Sequence, residues 1–168
     1  MESEIVPVLN ADVEAITALF AREYYASLEE AIAHFADHIG GDGASFLAYV
    51  EGTWAGFITI RWVSHNPDFR ANKIPLIHYI EVFQPFRRQS IASRLMEVAE
   101  DLIATRATKV GITVGLTEEY GGAQRLYAKR GYLPDGRGAC QAHCPLRHGE
   151  LVTMDHDLII WLTKDLTQ

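Results

Sequence analysis

The stretch that most limits what this chain can become runs from Val82 to Met96. It leaves an apolar segment at Val82-Phe83, passes Gln84 and Pro85, turns through Arg87 and Arg88, and enters an amphipathic helix at Ser90. From there Ile91, Leu95, Val98, Ala99, Leu102 and Ile103 recur at helical spacing, with Glu97, Glu100 and Asp101 between them. Ser90 stands where a helix N-cap belongs. A strand that feeds a helix through a short cationic turn suits an anion. The first N–H groups of the helix are unpaired, and the positive end of its dipole faces the turn. Arg87 and Arg88 add charge suited to phosphate oxygens.

Within this stretch Val82 is followed, after four residues, by Arg87-x-x-Ser90-x-Ala92. The pattern resembles the acyl-CoA signature of the GNAT superfamily of N-acetyltransferases, which reads Val, four residues, then Arg/Gln-x-x-Gly-x-Gly/Ala. Ser90 replaces the first glycine, whose role is to let the backbone approach a pyrophosphate. Downstream, Ala123-x-x-Leu126-Tyr127-x-x-x-Gly131-Tyr132 is similar to a second signature of the same family, Ala-x-x-Leu-Tyr-x-x-x-Gly-Phe. Two signatures in the right order constrain the chain far more than either alone.

The resemblance implies a mixed, α+β-like α/β fold, with a mostly antiparallel splayed sheet flanked by helices. It implies one domain over residues 1–168, which the chain length also favours. It implies acetyl-CoA as cosubstrate, a primary amine of a small molecule or protein as acceptor, and no metal. The coenzyme would be held by Val82, Phe83, Gln84, Arg87, Arg88, Gln89, Ser90, Ile91, Ala92 and Ser93. Tyr127 would be the general acid, since a tyrosine hydroxyl with a pKa of about 10 can donate at neutral pH. Relatives often carry Asn three residues before the alanine matched by Ala123; here Tyr120 stands there. Dimerisation is common among relatives, which leaves a homodimer open. A non-catalytic acyl-CoA-binding module of the same fold is the alternative reading.

Composition narrows the partners. A net charge of -7 and a pI of about 5.4 argue against nucleic acid or an anionic membrane. No apolar run is long enough to span a bilayer. Met1-Glu2-Ser3-Glu4 lacks the features of a signal peptide, and two cysteines without an export signal fit a reducing cytoplasm.

Along the chain, residues 4–9 read as a strand. A helix follows with Val13, Ile16, Leu19 and Phe20 inward, then a second with Ile32 and Phe35 that ends at Gly40, Gly41 and Gly43. In the family this helical pair walls the acceptor pocket, which would bring Tyr24, Tyr25 and His34 near substrate; packing or surface roles are the preferred account of them. Residues 45–51 and 54–63 read as a hairpin joined by Gly52-Thr53. Residues 64–74 read as a polar loop.

Residues 75–83 are nearly all apolar and read as a central strand. Leu76, His78, Ile80 and Val82 would share one face, and Ile77, Tyr79, Glu81 and Phe83 the other. A carboxylate and an imidazole on such a strand, if buried without partners, would be held toward their neutral forms, as a base near neutral pH requires. Glu81 and His78 are therefore the two candidate bases. A satisfied polar group beside a loop is the plainer account of each.

The helix from Ser90 should end near Arg106. Residues 109–116 read as a strand with Gly111, Thr113 and Gly115 on one face, leaving room for a ligand, a backbone or a close helix contact. In the family this strand splays from the Val82 strand to admit the pantetheine arm. Thr117 should cap the next helix, with Gly121 and Gly122 making its first turn irregular and Gly131 ending it. Tyr132 and Leu133 begin another strand, and residues 157–162 the last. Residues 134–156 read as a long loop over the acceptor pocket. It carries Cys140-x-x-His143-Cys144-x-x-x-His148, whose spacing matches no common zinc pattern, and a non-coordinating loop is the preferred reading over metal or disulfide.

Overall fold

The computed structural model describes residues 3–8, 18 and 42–166. The two expected helices with Val13, Ile16, Leu19, Phe20, Ile32 and Phe35, and the acceptor candidates Tyr24, Tyr25 and His34, lie outside the described residues. The fold is mixed α/β, with mostly antiparallel strands. It divides into two compact units, Met1–Val63 with Ile77–Leu102, and Ser64–Leu76 with Ile103–Gln168.

In the first unit the strands lie in the order β1 (Ser3–Pro7), β2 (Gly43–Val50), β3 (Thr53–Arg61) and β4 (Leu76–Val82). β1 and β2 pair antiparallel from Ser3↔Val50 to Pro7↔Phe46. β2 and β3 form a hairpin whose turn is Glu51-Gly52, one residue earlier than expected. Both turn residues are left-handed, at φ 49° and 76°, as a tight hairpin twist requires. Thr53, β-branched, starts the strand instead.

The β2–β3 register shifts at Ala48/Tyr49, where Gly56 and Trp54 are successive partners and Ala55 is the extra residue. The Trp54 indole N–H closes this bulge by donating to the Gly56 carbonyl at 3.0 Å. Two bonds tie β4 to β3 antiparallel: Phe83 N–H to Ala55 O at 2.9 Å and Tyr79 N–H to Thr59 Oγ1 at 3.1 Å.

β3, not β4, is the strand buried on both faces, from Trp54 to Ile60. β4 is buried only at Leu76 and Ile77, and Tyr79 is 43% exposed. Its apolar run therefore overstated its burial. The helix α2 (Ile91–Ala104) follows the expected periodicity, burying Ile91, Leu95, Met96 and Ala99. Glu100, assigned above to the polar side, is buried as well. The helix stops two residues before Arg106, where the amides of Arg106 and Ala107 both turn to the Ile103 carbonyl.

In the second unit the strand order is β5 (Lys109–Gly115), β8 (Leu158–Asp165), β6 (Leu133–Gln141), β7 (Cys144–Pro145). β5 and β8 pair antiparallel from Lys109↔Asp165 to Gly115↔Ile159. The segment expected to be a loop from Pro134 onward instead contains β6 and β7. Its alternation is hidden because β6 bulges: between Pro134↔Leu162 and Ala139↔Ile160, four residues of β6 stand against one of β8. Gly136 and Gly138, at φ 97° and 74°, make the detour.

The polar loop expected at 64–74 holds a short helix, α1 (Pro67–Ala71). Asn66 Oδ1 accepts from the amides of Asp68 and Phe69, and Pro67 occupies the first turn. One turn is too short for periodicity to reveal. Its anchor is Phe69, in a buried cluster with Leu76, Cys140, Ile159 and Trp161. Arg137, at the crest of the β6 bulge, lies over the rings of Phe69 and Trp161 at 5.7 and 5.6 Å. Its guanidinium pairs with Asp135 at 2.5 Å and Asp68 at 2.9 Å.

Candidate active site

β4 ends at Val82, and the chain turns through Gln84–Phe86 before α2 begins at Ile91. Phe83 anchors the entry by packing edge-on against Trp54, ring centroids 4.6 Å apart. Arg88 and Ser90 are both left-handed, at φ 64° and 63°. Ser90 thus takes the conformation that glycine adopts without strain. Its carbonyl accepts the first helical bond, from Arg94 N–H at 3.1 Å, so it is the N-cap by position. Its left-handed φ differs from the extended backbone of an ordinary capping serine.

Left-handed residues within a turn can swing successive amides toward one concavity, the arrangement that an anion nest uses. The first turn of α2 follows directly on the same bend. Of the expected coenzyme contacts, Gln84, Arg87, Arg88 and Ser90 are exposed, while Val82, Phe83, Gln89, Ala92 and Ser93 are half-buried. Ile91 is 2% exposed, so its side chain serves the core and only its backbone faces the turn. Gln89 donates back to the Pro85 carbonyl at 3.4 Å.

The candidate bases lie on opposite faces of β4 and are not brought together. Neither is buried. Glu81 is paired with Arg87 at 2.8 Å, its side chain 30% exposed, so it is neither buried nor unpartnered. His78 is half-buried, with its ring 4.3 Å from that of Tyr79. The backbone under Glu81 is shaped by a residue the sequence reading passed over, Gly56. A Cβ there would lie 2.3 Å from the Glu81 carbonyl oxygen and 3.0 Å from Val82 Cα. A glycine inside an apolar strand was the available signal.

Tyr127 belongs to the second unit, on α3 (Gly121–Lys129), and is buried at 4% exposure. The helix ends as the second signature dictates. Gly131, at φ 87°, donates to Ala128 O at 3.1 Å, and Tyr132 N–H donates to Tyr127 O at 3.0 Å. This is a Schellman cap, with Tyr132 stacked near Tyr127 at 6.0 Å between centroids.

The small-residue face of β5 is filled by the chain itself. A Cβ at Gly111 would meet the Phe69 ring at 2.1 Å, and one at Gly115 the Tyr120 ring at 2.3 Å. Of the uses open to that face, close packing is the one found. Tyr120, in the single-turn helix Glu118–Tyr120, bonds His156 Nδ1 through its hydroxyl at 3.0 Å. Thr117 does not cap α3; its hydroxyl donates to Glu119 Oε1 at 3.1 Å.

Cys140 and Cys144 are free thiols, the first buried and the second exposed. Burial raises the Cys140 pKa above the usual thiol range. Among the described residues no three His, Cys, Asp or Glu side chains gather as a metal group, and no helix is long and apolar enough to cross a membrane.

The acetyltransferase (GNAT) family pattern matches residues 12–132, most of the chain and both signatures. The chain belongs to the GNAT acetyltransferase family. Solved GNAT structures share its fold. The acetyltransferase of GNAT family from Streptococcus pneumoniae is 16% identical, with a TM-score of 0.66 over 98% of this chain and 100% of its own. The ribosomal-protein-S18-alanine N-acetyltransferase from Escherichia coli is 17% identical, with a TM-score of 0.66 over 99% and 96%. NAA60 of Arabidopsis thaliana, solved with a bisubstrate analogue, is 15% identical, with a TM-score of 0.64 over 98% of both chains. Such identities speak for the fold alone. No curated protein matches the chain. GNAT membership makes acetyl transfer the general activity.

Proposed function

We propose that this single domain moves an acetyl group from acetyl-CoA to a primary amine of a small molecule or protein, by direct attack in a ternary complex. The observation that carries the reading is the turn at Arg88 and Ser90. Both residues are left-handed, and the bend leads directly into the 14-residue helix α2. That is an anion cradle where the family signature expects the coenzyme's diphosphate.

The reaction needs two proton movements. The amine, freed of its ammonium proton by Glu81 or His78, attacks the thioester carbonyl. The C–N bond forms and the C–S bond breaks. The departing thiolate takes a proton from Tyr127, which is restored from the proton released by the amine through solvent. Amide and free thiol are the products. The Schellman cap supports the Tyr127 role because it fixes that residue's backbone. Holding the two reactants together supplies much of the rate.

Calorimetry with CoA, followed by thiol release from acetyl-CoA across a panel of primary amines, tests this. Amine-dependent thiol release that falls by roughly 10²-fold or more in Tyr127→Phe is expected. A protein that is stabilised by CoA but turns over no amine would instead be an acyl-CoA-binding module. Tyr120, seated in the Gly115 notch where relatives place an asparagine, is the observation that favours that second reading. A cytoplasmic location, a homodimer and acceptor contacts from the 134–156 segment belong to the same proposal.

A further inference from the structure

We infer that Arg87 is a positioning residue for Glu81 and the end of β4, and that the coenzyme's diphosphate falls to Arg88 and the amides of the turn. The inference rests on the acetyl-transfer reading above. It departs from the signature, in which Arg87 stands at the phosphate-site position.

The Arg87 side chain is turned back along the chain that precedes it. Its Nε donates to the Val82 carbonyl at 2.9 Å and its Nη2 to Glu81 Oε1 at 2.8 Å. These two donors form one edge of the guanidinium fork, so the pair of bonds sets the orientation of the group as well as its position. The left-handed residues of the turn, Arg88 and Ser90, come after Arg87, on the side of the chain that leads into α2.

Both contacts fall on the last two residues of β4. Phe83 N–H reaches Ala55 on β3, so the Val82 carbonyl lies on the opposite edge of β4, and Arg87 is the group that meets it. The Glu81 carboxylate is part exposed and would otherwise sample several rotamers. The strand beneath is already held by its close approach to Gly56. Arg87 extends that hold from the Glu81 backbone to its carboxylate. An ion pair this exposed adds little to stability, so its consequence is geometric.

The test separates contact with phosphate from action through Glu81. Affinities for CoA and for pantetheine, which lacks the diphosphate, are measured by calorimetry on wild type, Arg87→Gln and Arg88→Gln. Arg87→Gln should keep the preference for CoA over pantetheine within about twofold, and Arg88→Gln should cut it by about tenfold. With the best amine of the panel, Arg87→Gln should lower kcat roughly tenfold while KM for acetyl-CoA stays within about twofold. It should cause no further loss in a Glu81→Gln background. Arg87→Lys, which keeps charge but not the fork, should recover only part of the rate and serves if Arg87→Gln does not fold. An Arg87→Gln protein that loses its CoA preference as Arg88→Gln does overturns the assignment. So does a kcat effect that persists when Glu81 is already glutamine. A wild type with no preference for CoA, or with no turnover, fails before any variant is made and removes the acetyl-transfer reading with this inference.

Discussion

The amide of Tyr132 donates to the carbonyl of Tyr127 at 3.0 Å across the left-handed residue Gly131. Three residues of a family signature, Tyr127, Gly131 and Tyr132, therefore have a mechanical meaning: they close the end of a helix. A Cβ at Gly131 would meet nothing within 4 Å, so substitution there strains only the backbone. Gly131→Ala should cost about 1 kcal/mol in urea unfolding and lower kcat more than the KM for acetyl-CoA. Unchanged stability would show that the cap does not hold the helix end.

Ser90 carries strain that its family counterpart, glycine, does not. At φ 63° its side chain is in the left-handed region. Ser90→Gly should stabilise the protein by about 1 kcal/mol, somewhat less if the unfolded chain gains freedom. Affinity for CoA should hold or rise. A clear fall in affinity would mean that the serine hydroxyl itself contacts the ligand.

Gly56→Ala places a methyl 2.3 Å from a backbone oxygen, which cannot swing aside as a side-chain tip can. Overpacking of this kind costs about 1–3 kcal/mol. Because the displaced atoms belong to Glu81 and Val82, amine-dependent thiol release should fall by more than the stability loss accounts for. The check is turnover at a temperature where circular dichroism shows the variant fully folded.

Removing Arg137 would leave Asp135, whose side chain is only 10% exposed, without its Arg137 partner. Arg137→Met, which keeps the stem, should still cost roughly 2–4 kcal/mol in urea unfolding. Arg137→Met with Asp135→Asn should recover part of that loss. Additive losses in the double variant would refute the pairing.

The two thiols should differ sharply in alkylation. At about pH 8, iodoacetamide should label exposed Cys144 within the time that buried Cys140 stays intact, as read by mass spectrometry. Burial raises the folded Cys140 pKa above its unfolded value, so the folded state holds that proton more tightly. The stability this contributes is full below the unfolded value of about 8.5 and is lost as pH rises through the folded one. Cys140→Ala should therefore lose less stability than wild type over that alkaline window.

Much of the local structure could be read from order along the chain. Ile91, Leu95 and Ala99 announce α2 because helix period depends only on spacing, and Gly131 announces the end of α3 because only glycine adopts its φ without strain. The two signatures place the donor turn and Tyr127 for the same reason, being continuous stretches. What tertiary structure alone decided are relations between residues far apart in sequence or hidden within one turn. Phe69 filling the Gly111 notch, the Glu81 backbone pressed on Gly56, and Arg137 lying over the Phe69 and Trp161 rings each join segments that no periodicity connects. The β6 bulge erased the alternation that would have marked a strand, and the β4 residues that read as apolar core proved half-exposed. Arg87 shows the limit most clearly. Its place in the signature says phosphate, but which way a long side chain turns is set by the acceptors within its reach, and here those are Glu81 and Val82.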